Sequence, residues 1–442
     1  MEKVIVVGSG LAGSEAAIYL ANKGYEVDLI EMRPKYQTGA HKTSYPAELV
    51  CSNSLGSSDI LQASGMLKKE AMMLGSFLFF AAYNNSVPSG NSLSIDRNAF
   101  CVEVDNKIKS LKNINVVYDK YDKINPDIPT IIATGPLTDR KLCEDIKIKF
   151  NEEEFHFYDA IAPIVEKDSI DFSKAFYASR WDKGSADYIN CPMNKEEYEK
   201  FYDFLINAQC APLKEFEASY FEGCMPVEVM AKRGVDTLRF GPMKPVGLFD
   251  KRFPTEFKKN QFYAVVQLRQ DDKIASLYNL VGFQTNLKWG EQKKMLSLIP
   301  GLENAQITRY GVMHANTFIN SPKILNKHLQ TKKYENIFFA GQLTGVEGYC
   351  ESISTGLFAA INMDRFLKNK PLIELNSKTV LGALIDYITY EHHKKFQPVN
   401  ASWGIVDEIE TDKKIKDKKL KNELRSKRAI ECIEKVLNII NE

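Results

Sequence analysis

The chain has 442 residues, more than one ordinary hydrophobic core accommodates, since cores stop growing at roughly 250 to 300 residues, so two domains are expected. Hydrophobic residues at 44% and charged residues at 26% describe a water-soluble globular protein, and no stretch approaches the ~18 uninterrupted apolar residues of a membrane span. A formal net charge of +1 excludes a strong overall pull on a polyanion and leaves any nucleic-acid contact to a local basic surface. Met1–Val7 runs straight into a strand with none of the signal-peptide pattern, which points to the cytoplasm. The 8 cysteines are scattered, without a Cys-x-x-Cys pair or histidines at zinc-ligand spacing. No structural metal is expected, and an isolated cysteine is read first as a small buried hydrophobe.

In chain order, Glu2–Val7 is an apolar strand, residues 8–13 are glycine-rich, Ser14–Lys23 has helical periodicity stopped by Gly24, and Tyr25–Glu31 is a second strand. This strand, turn, helix and strand unit opens a doubly wound nucleotide-binding fold. Thr130–Thr134, stopped by Gly135-Pro136, and Ile337–Ala340, stopped by Gly341, read as further strands of the same parallel sheet. Between them, Asn151–Pro322 carries mixed signals, with helical patterning over Glu196–Gln209 and strand-like Gln261–Gln267 and Leu277–Gly282. The pattern turns helical after Gly356, and Asp412–Arg428 is lysine-rich with interspersed acids, which favours a solvated helix face over an RNA-binding surface. The expected fold is α/β: a doubly wound Rossmann-like dinucleotide-binding domain, built from 1–150 and 323–442, around an inserted α+β substrate domain, 151–322.

Gly8-Ser9-Gly10-Leu11-Ala12-Gly13 is the G-x-G-x-x-G pattern in its required place, after a strand and opening a helix. The first glycine permits the turn, the second lets the backbone approach a pyrophosphate, and the third lets helix and strand pack closely, with the phosphates at the helix amino end. Glu31 closes the second strand where a carboxylate binds ribose hydroxyls. A late strand ending in Gly341-Gln342-Leu343-Thr344-Gly345-Val346-Glu347-Gly348-Tyr349 returns backbone amides to the sheet, which favours FAD over NAD.

Longer strings are more specific. Glu31-Met32-Arg33-Pro34, Gln37-Thr38-Gly39-Ala40-His41-Lys42, Ala47-Glu48-Leu49-Val50-Cys51-Ser52-Asn53-Ser54-Leu55 and Phe221-Glu222-Gly223-Cys224-Met225-Pro226-Val227-Glu228 resemble the folate- and FAD-dependent RNA (uracil-5-)-methyltransferases. Asp236–Pro245, Tyr278–Thr285, Tyr310–His314, Asn316–Pro322 and Phe396-Gln397-Pro398 continue the resemblance, which covers nearly the whole chain. A related flavoprotein family that modifies tRNA wobble uridines has a Cys-Asn-Pro-Ala pattern where this chain has Cys51-Ser52-Asn53-Ser54. The match is to the methyltransferase branch.

The resemblance implies that methylenetetrahydrofolate supplies a one-carbon unit, that reduced flavin supplies a hydride, and that NADPH or NADH refills the flavin. The product is 5-methyluridine, in the T-loop of tRNA or in 23S ribosomal RNA, and the expected partners are the RNA and folate, with no obligate protein partner. A plain flavin and NAD(P)H oxidoreductase, or a silent RNA-binding relative, are the rival readings.

Carbon 5 of uracil is a poor nucleophile, so a thiolate must add at carbon 6 and a base must take the carbon 5 proton. Cys51 and Cys224 sit in the most diagnostic strings: one is assigned the addition at carbon 6, and the other handles the carbon 5 proton or supports the flavin-bound methylene. Glu222, Glu228, Lys232 and Arg233 tilt the nucleophile towards Cys224, but the roles stay open. The remaining cysteines keep the buried reading. Cofactor-side residues are Gly8, Ser9, Gly10, Leu11, Ala12, Gly13, Glu31, Arg33, His41, Lys42, Gly341, Gly345, Val346, Glu347, Gly348 and Tyr349. His41 and Lys42 are placed for phosphate or folate carboxylates or on a solvated loop, and Tyr349 for stacking or the core. Lys232, Arg233, Arg239, Lys244 and Arg269 are further candidates for anion contact.

Overall fold

The computed structural model describes residues 2–152, 155–182, 185–212, 219–220, 225–253, 261–394, 396–410 and 415–441, with backbone alone at 155–159, 219–220 and 314–315. Its central sheet has five strands in the order Ile337–Phe339, Thr130–Ile132, Lys3–Val7, Glu26–Glu31 and Ile114–Tyr118. Every neighbouring pair is parallel. The innermost strand buries Val4, Val6 and Val7, as the continuous apolar run Val4–Val7 requires when helices cover both faces. Register sets Val7 beside both Ile30 and Ile132, so the chain leaves these strands at one carboxyl edge, at Gly8, Glu31 and Ala133. This is the edge where doubly wound sheets bind ligands.

The helix Leu11–Asn22 packs under that edge against Tyr349–Leu367. A Cβ on Gly356 would stand 2.3 Å from the Ala12 carbonyl oxygen, so only glycine allows the two helix backbones to meet there. The helix expected after Gly356 thus begins earlier, at Tyr349. Its residues Cys350–Arg365 are all buried, and the buried polar Glu351, Ser352, Ser354 and Thr355 of its first turns interrupt the apolar run that would have marked its start in the sequence.

Two large hydrophobic cores form. One draws on residues between Val4 and Ile146 and again between Phe318 and Ile433; the other lies wholly between Val165 and Leu302. The second backs a six-stranded sheet in the order Phe176–Ala178, Tyr188–Met193, Ala264–Gln270, Leu277–Leu280, Ile164–Glu166, Ile307–Arg309, in which neighbours are antiparallel. Phe155–Ala160 and Met313–Phe318 pair antiparallel where the chain enters and leaves this region. The helix expected over Glu196–Gln209 is Lys195–Asn207, opened by an Asn194 and Glu197 capping box.

A small sheet of Ser54–Ser57, Ser92–Ile95 and Ser86–Val87 follows Cys51; its serine-rich strands carry little alternation to betray them. The lysine-rich run leads into the helix Lys418–Asn441, which turns Asn422, Arg425, Ser426, Ala429 and Ile433 inward. Asn422 and Trp403 both donate to the Leu61 carbonyl, at 3.0 and 2.9 Å. Among the described residues, no helix is long and apolar enough to cross a membrane.

Candidate functional site

The glycine loop is built by backbone geometry. Gly8 has φ +94°, a conformation that side chains rarely adopt, and a Cβ on Gly13 would lie 1.8 Å from the Gly8 carbonyl oxygen. A Cβ on Gly10 would meet no protein atom within 4 Å, because this backbone faces a cleft. Behind it, Glu31 accepts hydrogen bonds from the Ser9 amide at 3.0 Å and hydroxyl at 2.6 Å, and from the Arg33 amide at 2.9 Å and Nε at 3.0 Å. Burial pushes the Glu31 carboxyl up, but the Arg33 guanidinium and the Ser9 bonds outweigh it and hold the group at about 2. Arg33, itself buried, reaches on to Glu48 at 3.4 Å, whose carboxylate accepts the amides of Lys42 and Thr43. One charged network thus joins the second strand to the loop that leads to Cys51.

The cleft encloses about 1050 Å³ of space, its open mouth included. Of the residues singled out in the sequence, Gly8, Gly10, Leu11, Ala12, Glu31, Arg33, His41, Gly341 and Tyr349 line it. Ser9 and Gly13 support the loop from behind. Lys42 is exposed, and Gly345, Val346, Glu347 and Gly348 lie off the cleft, where Val346 pairs with Val399 and the Glu347 amide donates to Val399 at 2.7 Å. Sequence reading missed the opposite wall, which includes Asp119, Lys120, Tyr121, Leu137, Thr138 and Asp139. The signal was present in the apolar Ile114–Tyr118, a strand whose carboxyl end delivers the first three of these.

Cys51 is half-buried and does not itself line the cleft, but its neighbour Val50 and Tyr349 do. Its amide donates to the Tyr349 hydroxyl at 2.6 Å, and its thiol donates to the Ala160 carbonyl at 3.7 Å. The residue that opens the helix Tyr349–Leu367 therefore both lines the cleft and holds the Cys51 backbone. Cys224 and Glu222 lie outside the described residues. Glu228 is buried and committed to the fold, accepting from the Asn286 amide at 2.7 Å and the Thr285 hydroxyl at 2.8 Å. Burial raises the thiols of Cys101 and Cys350 to about 12 and that of Cys191 further, so these three are inert at neutral pH. Arg239 lies over the Tyr263 ring, 3.6 Å from its centroid, and pairs with Asp236. Lys232, Arg233 and Lys244 are exposed. Arg269 is held beside Asn53, two residues beyond Cys51, at 3.2 Å.

A parallel sheet, a glycine loop opening a helix and a cleft at the carboxyl edge define a Rossmann-like dinucleotide-binding protein of the doubly wound α/β class. Residues 3–371 match the family described as Glucose inhibited division protein A. The methylenetetrahydrofolate–tRNA-(uracil-5-)-methyltransferase TrmFO of Anoxybacillus flavithermus is 53% identical over 436 residues, covering 98% of this chain and 99% of the relative. The protein of the same name from Brevibacillus brevis is 54% identical over 432 residues, covering 98% and 97%. This chain belongs to the Glucose inhibited division protein A family, alongside these TrmFO proteins. Two solved structures of Aquifex aeolicus GidA superpose with a TM-score of 0.67 at 16% identity, covering 98% and 100% of this chain and 73% and 79% of theirs, a likeness of fold.

Proposed function

We propose that this chain is a folate- and FAD-dependent methyltransferase that makes 5-methyluridine in tRNA. The observation that carries this is the identity of 52 to 54%, over nearly the full length of both chains, to proteins named methylenetetrahydrofolate–tRNA-(uracil-5-)-methyltransferase. The cleft fits FAD: the bare backbone at Gly10 sits at the amino end of the helix Leu11–Asn22, and the space beside it runs on to Gly341 and Tyr349. Gly8 to Gly13 would hold the pyrophosphate and Glu31 the ribose, with Arg33 keeping that carboxylate ionised. Bound there, FAD supplies the redox chemistry that turns a folate-derived methylene into a methyl group.

The chain's own residues do the rest. Cys51 and Cys224 divide two tasks: one sulfur adds to carbon 6 of the uracil, which makes carbon 5 nucleophilic, and the other removes the carbon 5 proton after the new carbon–carbon bond has formed. Tyr349, whose hydroxyl accepts from the Cys51 amide, holds that cysteine next to a cleft-lining side chain. The segment 151–322 forms the substrate domain over the cleft, and NADPH or NADH is the reductant.

The test supplies a tRNA transcript and a 23S ribosomal RNA fragment with methylene-labelled methylenetetrahydrofolate and either NADPH or NADH. Label is expected in the tRNA uridine. Label that arrives only from S-adenosylmethionine, or that enters the ribosomal fragment and not the tRNA, would overturn the reading.

A further inference from the structure

Three guanidiniums from three separate elements bond the segment Leu49–Asn53 around Cys51. Arg97, at the start of the helix Arg97–Ser110, donates from Nη1 to the Leu49 carbonyl at 3.1 Å. Arg309, ending the strand Ile307–Arg309, donates from Nη2 to the Val50 carbonyl. Arg269, from Ala264–Gln270, donates from Nε to the Asn53 side chain at 3.2 Å and from Nη2 to Asn279 at 3.4 Å.

Against these three positive charges the described residues set one bonded carboxylate, Asp271, 2.9 Å from Arg97 Nη2. Neither Arg269 nor Arg309 has a carboxylate partner among the described residues, although both are partly buried. Among the described residues, no acceptor meets Nε and Nη1 of Arg309, Nη1 of Arg269 or Nε of Arg97, the last of which is buried. Burial pulls the Arg269 and Arg309 guanidiniums below their ordinary range. Tyr188, Asp271 and Cys51 act the other way on Arg269, as do Tyr349, Asp271 and Cys51 on Arg309. Gathering partly desolvated cations with one carboxylate between them is costly unless an anion completes the set. Each spare guanidinium N–H can give an oxyanion a charge-assisted hydrogen bond.

We infer that Arg269 and Arg309, backed by Arg97, form a binding site for an oxyanion of a substrate, seated beside Cys51. The ligand is a phosphodiester or a carboxylate. On the function proposed above, on which the identity of that ligand rests, the two sources are the RNA backbone and the glutamyl end of the folate. Asp271 balances Arg97 and leaves Nη1 of Arg269 and Nε and Nη1 of Arg309 to the ligand.

The test compares wild type with Arg309→Gln, Arg309→Lys and Arg269→Gln. Affinity for a tRNA transcript is measured across a salt series, and affinity for tetrahydrofolate is measured separately on the flavin-loaded protein. Loss of one charge-assisted contact should weaken one ligand by about tenfold or more while leaving the other near wild type. If the ligand is RNA, the salt dependence should also become shallower by about one phosphate contact. Arg309→Lys, which keeps the charge, should recover part of the loss. In a third arm, inorganic phosphate should slow iodoacetamide alkylation of Cys51, read by peptide mass, in wild type and not in Arg309→Gln. This arm needs neither RNA nor folate, so phosphate protection without methyl transfer would overturn the enzymatic reading and keep this one. Wild-type affinity for both ligands and unchanged phosphate protection in the folded Arg309→Gln and Arg269→Gln variants would overturn it. Thermal melting establishes that the variants fold.

Discussion

Gly10 and Gly13 stand three positions apart in one loop, and alanine or valine at the two should fail in opposite ways. A Cβ at Gly13 lies 1.8 Å from the Gly8 carbonyl oxygen. Ordinary contact begins near 3.4 Å, so helix and strand end would have to part by about 1.6 Å. The helix Leu11–Asn22 cannot drift that far, because Gly356 of the helix behind it already touches the Ala12 backbone. Overpacking typically costs about 1–3 kcal/mol, and backbone on both sides of the clash places Gly13→Ala at the upper end. The better helix propensity of alanine returns at most about 1 kcal/mol, which leaves a net loss of about 2 kcal/mol. Gly10 has φ −67° and open space where its side chain would stand, so Gly10→Val should melt within about 0.5 kcal/mol of wild type. Its isopropyl group would nonetheless fill the approach to the helix amino end and lower FAD affinity by about a hundredfold or more, about 2.7 kcal/mol. Thermal melting of the flavin-free proteins and a flavin titration by fluorescence separate the two effects. An unchanged melt for Gly13→Ala, or wild-type FAD affinity for Gly10→Val, would refute the reasoning.

Glu31→Gln should destabilise the protein at neutral pH and matter progressively less in acid. The native carboxyl sits at about 2 against an ordinary 4.5, so its contribution of about 3 kcal/mol is complete above pH 4.5 and is lost as pH falls through 2. Denaturant melts of both proteins between pH 3 and 7 check this; a difference that widens towards acid contradicts the assignment. Tyr349→Phe removes the acceptor of the Cys51 amide, 2.6 Å away, and should cost about 1–3 kcal/mol of local order and slow methyl transfer while FAD stays bound. Full turnover would show that the hydroxyl positions nothing. Cys51→Ala and Cys224→Ala should each abolish methyl transfer and retain flavin, and RNA carrying 5-fluorouridine should be trapped covalently by wild type but not by the variant that lacks the nucleophile. Near-normal rates in both single variants would return the two cysteines to a packing role.

The nucleotide-binding half was legible from local order alone. Val4–Val7, Gly8 to Gly13 and Glu31 declare a strand, a turn and a second strand end because apolar runs and glycine demands depend on neighbours a few residues away. The late strand Ile337–Phe339 was legible for the same reason. The start of helix Tyr349–Leu367 was less legible, because buried polar residues from Glu351 to Thr355 interrupt its apolar pattern.

What no local pattern could carry is the company each side chain keeps. Cys51 meets Tyr349 across 298 positions of sequence, and Asn53 meets Arg269 across 216. Glu48 sat within a recognised string, yet its work of joining Arg33 to the loop before Cys51 appears only when the chain is folded. The opposite cleft wall at Asp119–Tyr121 and the trio of Arg97, Arg269 and Arg309 likewise belong to no motif. Sequence by itself determined the strands, the turn and the kind of ligand their common edge accepts, since those follow from backbone geometry and short-range periodicity. Tertiary structure decided which charges share a site, because electrostatic and hydrogen-bond energies depend on separations of a few ångströms that only packing of distant segments sets.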